Sequence, residues 1–140
     1  MKISEVMTPN PTTVKLTDDL QVAARIMRDE DAGSVPVVEE GRVVGLVTDR
    51  DIVIRAVADG DFDCTMGDIV TEDVICVTPD MPTSEAAALM AEHQIRRLPV
   101  VDSAEKLVGI VSIGDLAVKE GRDARTGDTL ESISAGVKRH

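Results

Sequence analysis

Gly45-Leu46-Val47-Thr48-Asp49-Arg50-Asp51 and, 64 residues later, Gly109-Ile110-Val111-Ser112-Ile113-Gly114-Asp115 are two versions of one pattern. In each, an apolar strand ends in a hydroxyl residue, a helix starts at once, and an Asp follows three positions on. Working outward, Pro36-Val37-Val38 returns 63 residues later as Pro99-Val100-Val101. At that same offset Val14, Ala23, Ala24 and Met27 fall on Val77, Ala86, Ala87 and Met90. One extra residue in the second turn accounts for the change of offset. The substitutions between these anchors are mild, such as Ile26 for Leu89 and Leu46 for Ile110. The chain is a duplication.

Each copy has the same grammar. A β-rich stretch (12–16; 74–77) leads to a helix whose start is marked by Asp18 or Asp80 as N-cap. Leu20, Ala23, Ala24 and Met27 give that helix one apolar face, and Ala86, Leu89, Met90 and His93 repeat the spacing. Two strands follow (35–38 and 43–47; 98–101 and 107–111), then a helix beginning near Asp49 or Ile113. Pro36 and Pro99 cannot donate to a ladder and are expected at strand starts or edges. The order is β-α-β-β-α, twice. The expected organisation is repeat 1 at 1–58, an acidic linker at 59–68, repeat 2 at 69–118 and a polar tail at 119–140, with a short helix or disorder around 129–134. A three-stranded unit is marginal alone. The expected fold is therefore α/β (α+β), with two repeats about a pseudo-twofold axis, sheets face to face, helices outside, and ligand clefts where the copies meet.

Composition narrows the function classes. Acidic residues number 26 against 15 basic in 140 residues, a formal charge of −11. That field repels phosphate backbones, and Phe62 is the only aromatic residue, so nucleic-acid binding is not expected. No apolar run approaches a membrane span, the N-terminus lacks a signal-peptide core, and Cys64 and Cys76 are too few for a disulfide framework. These features point to a soluble, reduced, cytoplasmic protein that does not engage membranes. Cys76, in an apolar run, is expected to be packed, and Cys64, in the acidic linker, exposed.

Thr48 or Ser112 can simply cap the following helix with help from Asp51 or Asp115. The same geometry offers free N–H groups to a phosphate and a carboxylate to two ribose hydroxyls. Two copies of it favour a ligand. The Arg96-Arg97 pair is either solvated near a strand start or, in so acidic a chain, a phosphate partner. Repeat 1 has Gly33-Ser34 at those places, so two unequal sites are expected. Asp59, Asp61 and Asp63 imitate half of a calcium loop, but Cys64 and Val70 occupy the required Gly and Glu positions, and no metal site is expected. No nucleophile, base and acid come together, so an enzyme is not expected.

A strand of the form h-Pro-Val-Val followed by Gly-h-h-Thr/Ser-x-x-Asp, duplicated over residues 1 to 118, resembles a pair of cystathionine β-synthase (CBS) domains, the Bateman module. The resemblance implies a non-catalytic sensor of an adenosine-containing ligand: AMP, ADP, ATP or S-adenosylmethionine. It needs no cofactor beyond that regulatory ligand, and it implies a homodimer formed through helices and a further protein partner. It also implies two ligand sites. In one, Asp51 holds ribose, Thr48 caps phosphate, Ile75 and Cys76 line the adenine slot and Arg97 pairs with phosphate, joined by Arg50. In the other, Asp115 and Ser112 take the ribose and phosphate roles, with Thr12 and Thr13 by the adenine and Ala23 and Ala32 beneath; Arg96, next to Arg97, is a further cationic candidate for phosphate. The alternative is a scaffold that keeps the fold and binds no ligand.

Overall fold

The computed structural model describes residues 1–120, with side chains to Ala117. The tail beyond Glu120, including the helix considered at 129–134, lies outside the described residues. A 3-10 turn (Ile3–Glu5) precedes β1 (Thr8–Pro9), α1 (Leu20–Glu30), β2 (Ser34–Glu39), β3 (Arg42–Thr48) and α2 (Asp49–Asp51). The helix continues as a π-helical stretch, Ile52–Val57, in which the Ala58 N–H reaches back to the Val53 carbonyl at 2.9 Å. Then come α3 (Met66–Ile69), α4 (Thr83–His93), β4 (Arg97–Val101), β5 (Leu107–Ser112) and α5 (Ile113–Glu120).

These elements form two compact units. The first contains Pro11–Val74 and Glu105–Leu107; the second contains Met1–Asn10, Ile75–Ala104 and the chain from Val108 onward. In the first unit β2 and β3 pair antiparallel, with Val14 bridging Val37 in parallel on one side and Thr71 bridging Leu46 on the other. In the second, the sheet order is β1-β5-β4, Val77 bridges Val100 in parallel, and Thr8 pairs with Ile110. Thr8 and Thr71 are equivalent positions of the repeat. The opening segment of each repeat therefore completes the unit built around the other repeat's strands. Its anchors are buried: Ile3 and Val6 in the second core, Met66 and Ile69 in the first.

Local chemistry explains most of the elements and corrects several expectations. Asp19, not Asp18, caps α1 by accepting from the Val22 N–H at 3.1 Å; Asp18 accepts from the Lys15 N–H and shapes the turn before it. The second helix starts at Thr83 behind Pro82, with no side-chain cap, so Asp80 plays no such part. Both helices close on a left-handed residue, Asp31 (φ 51°) and Gln94 (φ 52°). The buried face of α1 is Leu20, Ala23 and Met27, while Ala24 faces outward, as does His93 on α4. The β-rich stretches reduce to single bridges at Val14 and Val77. Pro36 and Pro99 lie inside strands with neighbours on both sides. Each is tolerated because the bridge uses only its carbonyl, which accepts from Val14 or Val77, and takes its next donor from Val38 or Val101.

The cysteines are the reverse of expectation. Cys64 is buried in the first core and Cys76 is exposed. The chain around Cys64 turns inward because Met66 and Ile69 seat the following helix in the core. Burial, reinforced by Asp61, Asp68 and Asp63, pushes the Cys64 thiol up.

Gly45 and Gly109 let the opening segments approach their strands. A Cβ on Gly45 would strike Val70 and lie 2.6 Å from the Thr71 carbonyl oxygen; on Gly109 it would strike the Met7 thioether and lie 3.0 Å from the Thr8 carbonyl. Backbone cannot yield as a methionine tip can. We expect Gly45→Ala to cost about 2–3 kcal/mol and Gly109→Ala about 1 kcal/mol in urea unfolding. Equal losses would show that the backbone contact is not limiting.

Candidate functional site

At the end of β3, the Thr48 hydroxyl accepts from the Asp51 N–H at 3.0 Å, and the Asp51 carboxylate accepts from the Thr48 N–H at 3.0 Å. After β5 the second unit repeats the box: the Ser112 hydroxyl accepts from the Asp115 N–H at 3.0 Å, and the Asp115 carboxylate from the Ser112 N–H at 2.9 Å. Each box satisfies helix-start donors that would otherwise lack partners. It also fixes a hydroxyl and a carboxylate side by side at the head of a helix. Hydroxyl-bearing ligand groups could bridge such a carboxylate through its remaining lone pairs.

Asp51 does more than Asp115. Its side chain is only 12% exposed, lies 3.7 Å from Arg55 Nε, and accepts from the Thr71 hydroxyl at 3.3–3.4 Å. Arg55 Nη1 also donates to the Ile69 and Val70 carbonyls at 3.3 and 3.4 Å. The carboxylate thus ties its own helix to the segment that completes the sheet. Neither Arg55 nor Thr71 was an expected site residue, although Thr71 repeats Thr8 and Arg55 follows Asp51 at helical spacing.

The other candidates fall into the two units. Thr12, Thr13, Ala32, Thr48, Arg50 and Asp51 belong to the first; Ile75, Cys76, Arg96, Arg97, Ser112 and Asp115 belong to the second. The parallel bridge at Val14 runs Thr12 and Thr13 beside the start of β2, at the sheet end where Thr48 lies. The Val77 bridge brings Ile75 and Cys76 alongside the start of β4, where Arg97 begins the strand. The Thr12 hydroxyl donates to the Glu30 carboxylate at 3.0 Å. Ala32 is half-buried, and Ala23 is wholly buried in the core. Arg50, Arg96 and Arg97 form no ion pair among the described residues.

Both units join strand start to helix start in the same way. The Gly33 carbonyl accepts from the Asp49 N–H at 3.0 Å and the Arg96 carbonyl from the Ile113 N–H at 2.8 Å. The following residue differs: Ser34 in the first unit, Arg97 in the second. Ser34 is 9% exposed, and its hydroxyl has no hydrogen-bond partner. A buried orphan of that kind costs roughly 1–3 kcal/mol.

A CBS domain profile matches residues 3–57 and 66–119. The chain belongs to the CBS domain family. CBS domain-containing protein YhcV of Bacillus subtilis is 40% identical over 133 residues, 94% of each chain. Hypoxic response protein 1 of Mycobacterium tuberculosis is 36% identical over 116 residues, 81% of this chain and 80% of that one. The solved CBS domain pair of protein MJ0100, in complex with 5′-methylthioadenosine and S-adenosyl-L-methionine, superposes with a TM-score of 0.78 at 30% identity, covering 86% of this chain and 96% of that one. CBSX2 in complex with AMP superposes with a TM-score of 0.75 at 27% identity, covering 86% and 98%.

Within this CBS pair the two boxes are chemically alike and energetically unequal. Removing Asp115 breaks the box alone, whereas removing Asp51 also strands the Thr71 hydroxyl and frees Arg55. Asp51→Ala should lower stability by about 2 kcal/mol and Asp115→Ala by about 1 kcal/mol. Chemical denaturation of the two variants checks this, and a larger loss for Asp115→Ala would contradict it.

Proposed function

We propose that this CBS pair is a non-catalytic regulatory module that binds an adenosine-containing ligand, AMP, ADP, ATP or S-adenosylmethionine, and reports its level to a protein partner in the cytoplasm. The observation that carries the reading is the duplicated hydroxyl–carboxylate box at the end of β3 and of β5. The adenosine compounds bound to the solved relatives support the ligand class. In the roles assigned above, Asp51 and Asp115 accept ribose hydroxyls, and the Thr48 and Ser112 hydroxyls, which accept from the helix, keep their protons to donate to phosphate. Arg97, half-buried and without an ion pair among the described residues, supplies positive charge.

Ligand binding stabilises a folded state by mass action, about 2.7 kcal/mol at a hundredfold excess over Kd. Thermal unfolding with AMP, ATP and S-adenosylmethionine should show an upward shift for at least one of them. The double variant Asp51→Ala/Asp115→Ala should lose that shift. An unchanged shift in the double variant would overturn the assignment of the site, and no shift in the parent would favour the ligand-free scaffold. With no Trp or Tyr in the chain, a bound adenine compound would also stand out near 260 nm in the purified protein.

The same reading includes a homodimer. Val53 and Ile54, each 54% exposed, and Val57, 45% exposed, lie on the π-helical stretch, with Phe62 at 66% just beyond. Asp49 and Arg50 lie just before this stretch and Asp59 just after it, a mixture of signs that can pair with its own copy about a twofold axis. An exposed apolar face of this kind fits a second copy of the chain. Ile54→Asp should convert a dimer to a monomer in light scattering coupled to gel filtration. A parent that is monomeric at all concentrations, or a variant that stays dimeric, would contradict this.

A further inference from the structure

The first unit's box has a neighbour that neither the capping of α2 nor the core explains. Val35 and Val37 of β2 enter the apolar core, so strand alternation turns Ser34 to the opposite face of the sheet. Thr48 is its direct partner across the antiparallel pair and therefore shares that face. The Gly33 carbonyl, one residue earlier, already accepts from the Asp49 N–H. The Ser34 hydroxyl is thus placed beside the Thr48–Asp51 box at the head of the helical run from Asp49 to Val57. It is nine-tenths buried and unpartnered.

The electrostatics there differ from those of the second unit. Arg55 is engaged by Asp51 and by the Ile69 and Val70 carbonyls, and Arg50 is exposed. Asp49 and Asp51 add negative charge. The repeat-matched position in the second unit is Arg97, at the start of β4 and one residue after the carbonyl that accepts from the Ile113 N–H, which assigns this cation to the Ser112–Asp115 end of its own unit rather than to the Asp51 site that the resemblance implies. A hydroxyl both donates and accepts and carries no charge, so it suits a neutral ligand group such as a sugar hydroxyl or ring nitrogen. A guanidinium suits a phosphate.

We infer that Ser34 is a ligand-contacting, specificity-determining residue. It makes its unit's box select an uncharged nucleoside, while the Arg97 unit takes the phosphorylated form. This rests on the adenosine-ligand reading above and adds that the two boxes divide nucleoside from nucleotide.

Titration calorimetry of the full chain with adenosine and with AMP tests it, using the parent, Ser34→Ala and Arg97→Gln. The parent should bind both. Ser34→Ala should weaken adenosine about tenfold and change AMP by less than about twofold, and Arg97→Gln should do the reverse. The ligand-free Ser34→Ala protein should melt no lower than the parent, because no internal hydrogen bond is lost. If the parent binds AMP but not adenosine, or Ser34→Ala binds adenosine as the parent does, the division falls and the sensor reading stands. A lower melting temperature for ligand-free Ser34→Ala would give the hydroxyl an internal structural role and likewise overturn the division. If the parent binds neither compound, the division falls, and the sensor reading falls with it only when ATP and S-adenosylmethionine also give no thermal shift.

Discussion

The contact on which the rest depends is the seating of Val70 and Thr71 against Gly45, with its counterpart of Met7 and Thr8 against Gly109. A bare β-carbon at either glycine would hold the opening segment off the strand. Removed from the strand, Thr71 could not bond to Leu46, Ile69 could not fill the core, and Arg55 would lose its carbonyl acceptors. A three-stranded β-α-β-β-α unit buries too little by itself. The additional edge residues and their two apolar anchors supply what each unit lacks.

The hydroxyl–carboxylate box stands on that platform. Its first task is structural, since it satisfies backbone donors where strand becomes helix. A group held so firmly for one purpose is preorganised for another: its rotamer is set before any ligand arrives, so little side-chain freedom remains to be lost on binding. The asymmetry between the units arises one layer out. Asp51 is buttressed by Thr71 and Arg55, and Ser34 stands where the other unit has a cation.

What could be read from the sequence was what repeats locally. The Pro-Val-Val strands, the strand-to-helix junctions and the start of each closing helix sit where the duplication places them. Capping was harder, because Asp18 and Asp19 are chemically equal and the backbone turn at Lys15 decides between them. Ala24 and His93 satisfied a helical stripe but lie at its margins, where a few degrees of rotation turn a side chain to solvent. The cysteines were misplaced because local polarity is a poor guide when neighbours such as Met66 and Ile69 draw a segment inward. The role of the opening segments was beyond periodicity altogether. Nothing in Ile3-Ser4-Glu5-Val6 states which distant strand will receive it. Ser34 was visible only as the absence of an arginine; its unpartnered state emerged with the sheet register.

The interleaved make-up of the units bears on how the chain can be divided. A protease cut at Val74–Ile75 would not release two modules, since the N-terminal fragment would keep Met1–Asn10, the edge that the second unit needs. Half-chains divided instead ahead of Met66 would each display a bare sheet margin and an unplaced apolar hook, complementary to each other and to a second copy of themselves. An ancestor with a single repeat could have met the same need by pairing two identical chains that traded their first residues. On that view gene fusion preserved the exchange and made it intramolecular.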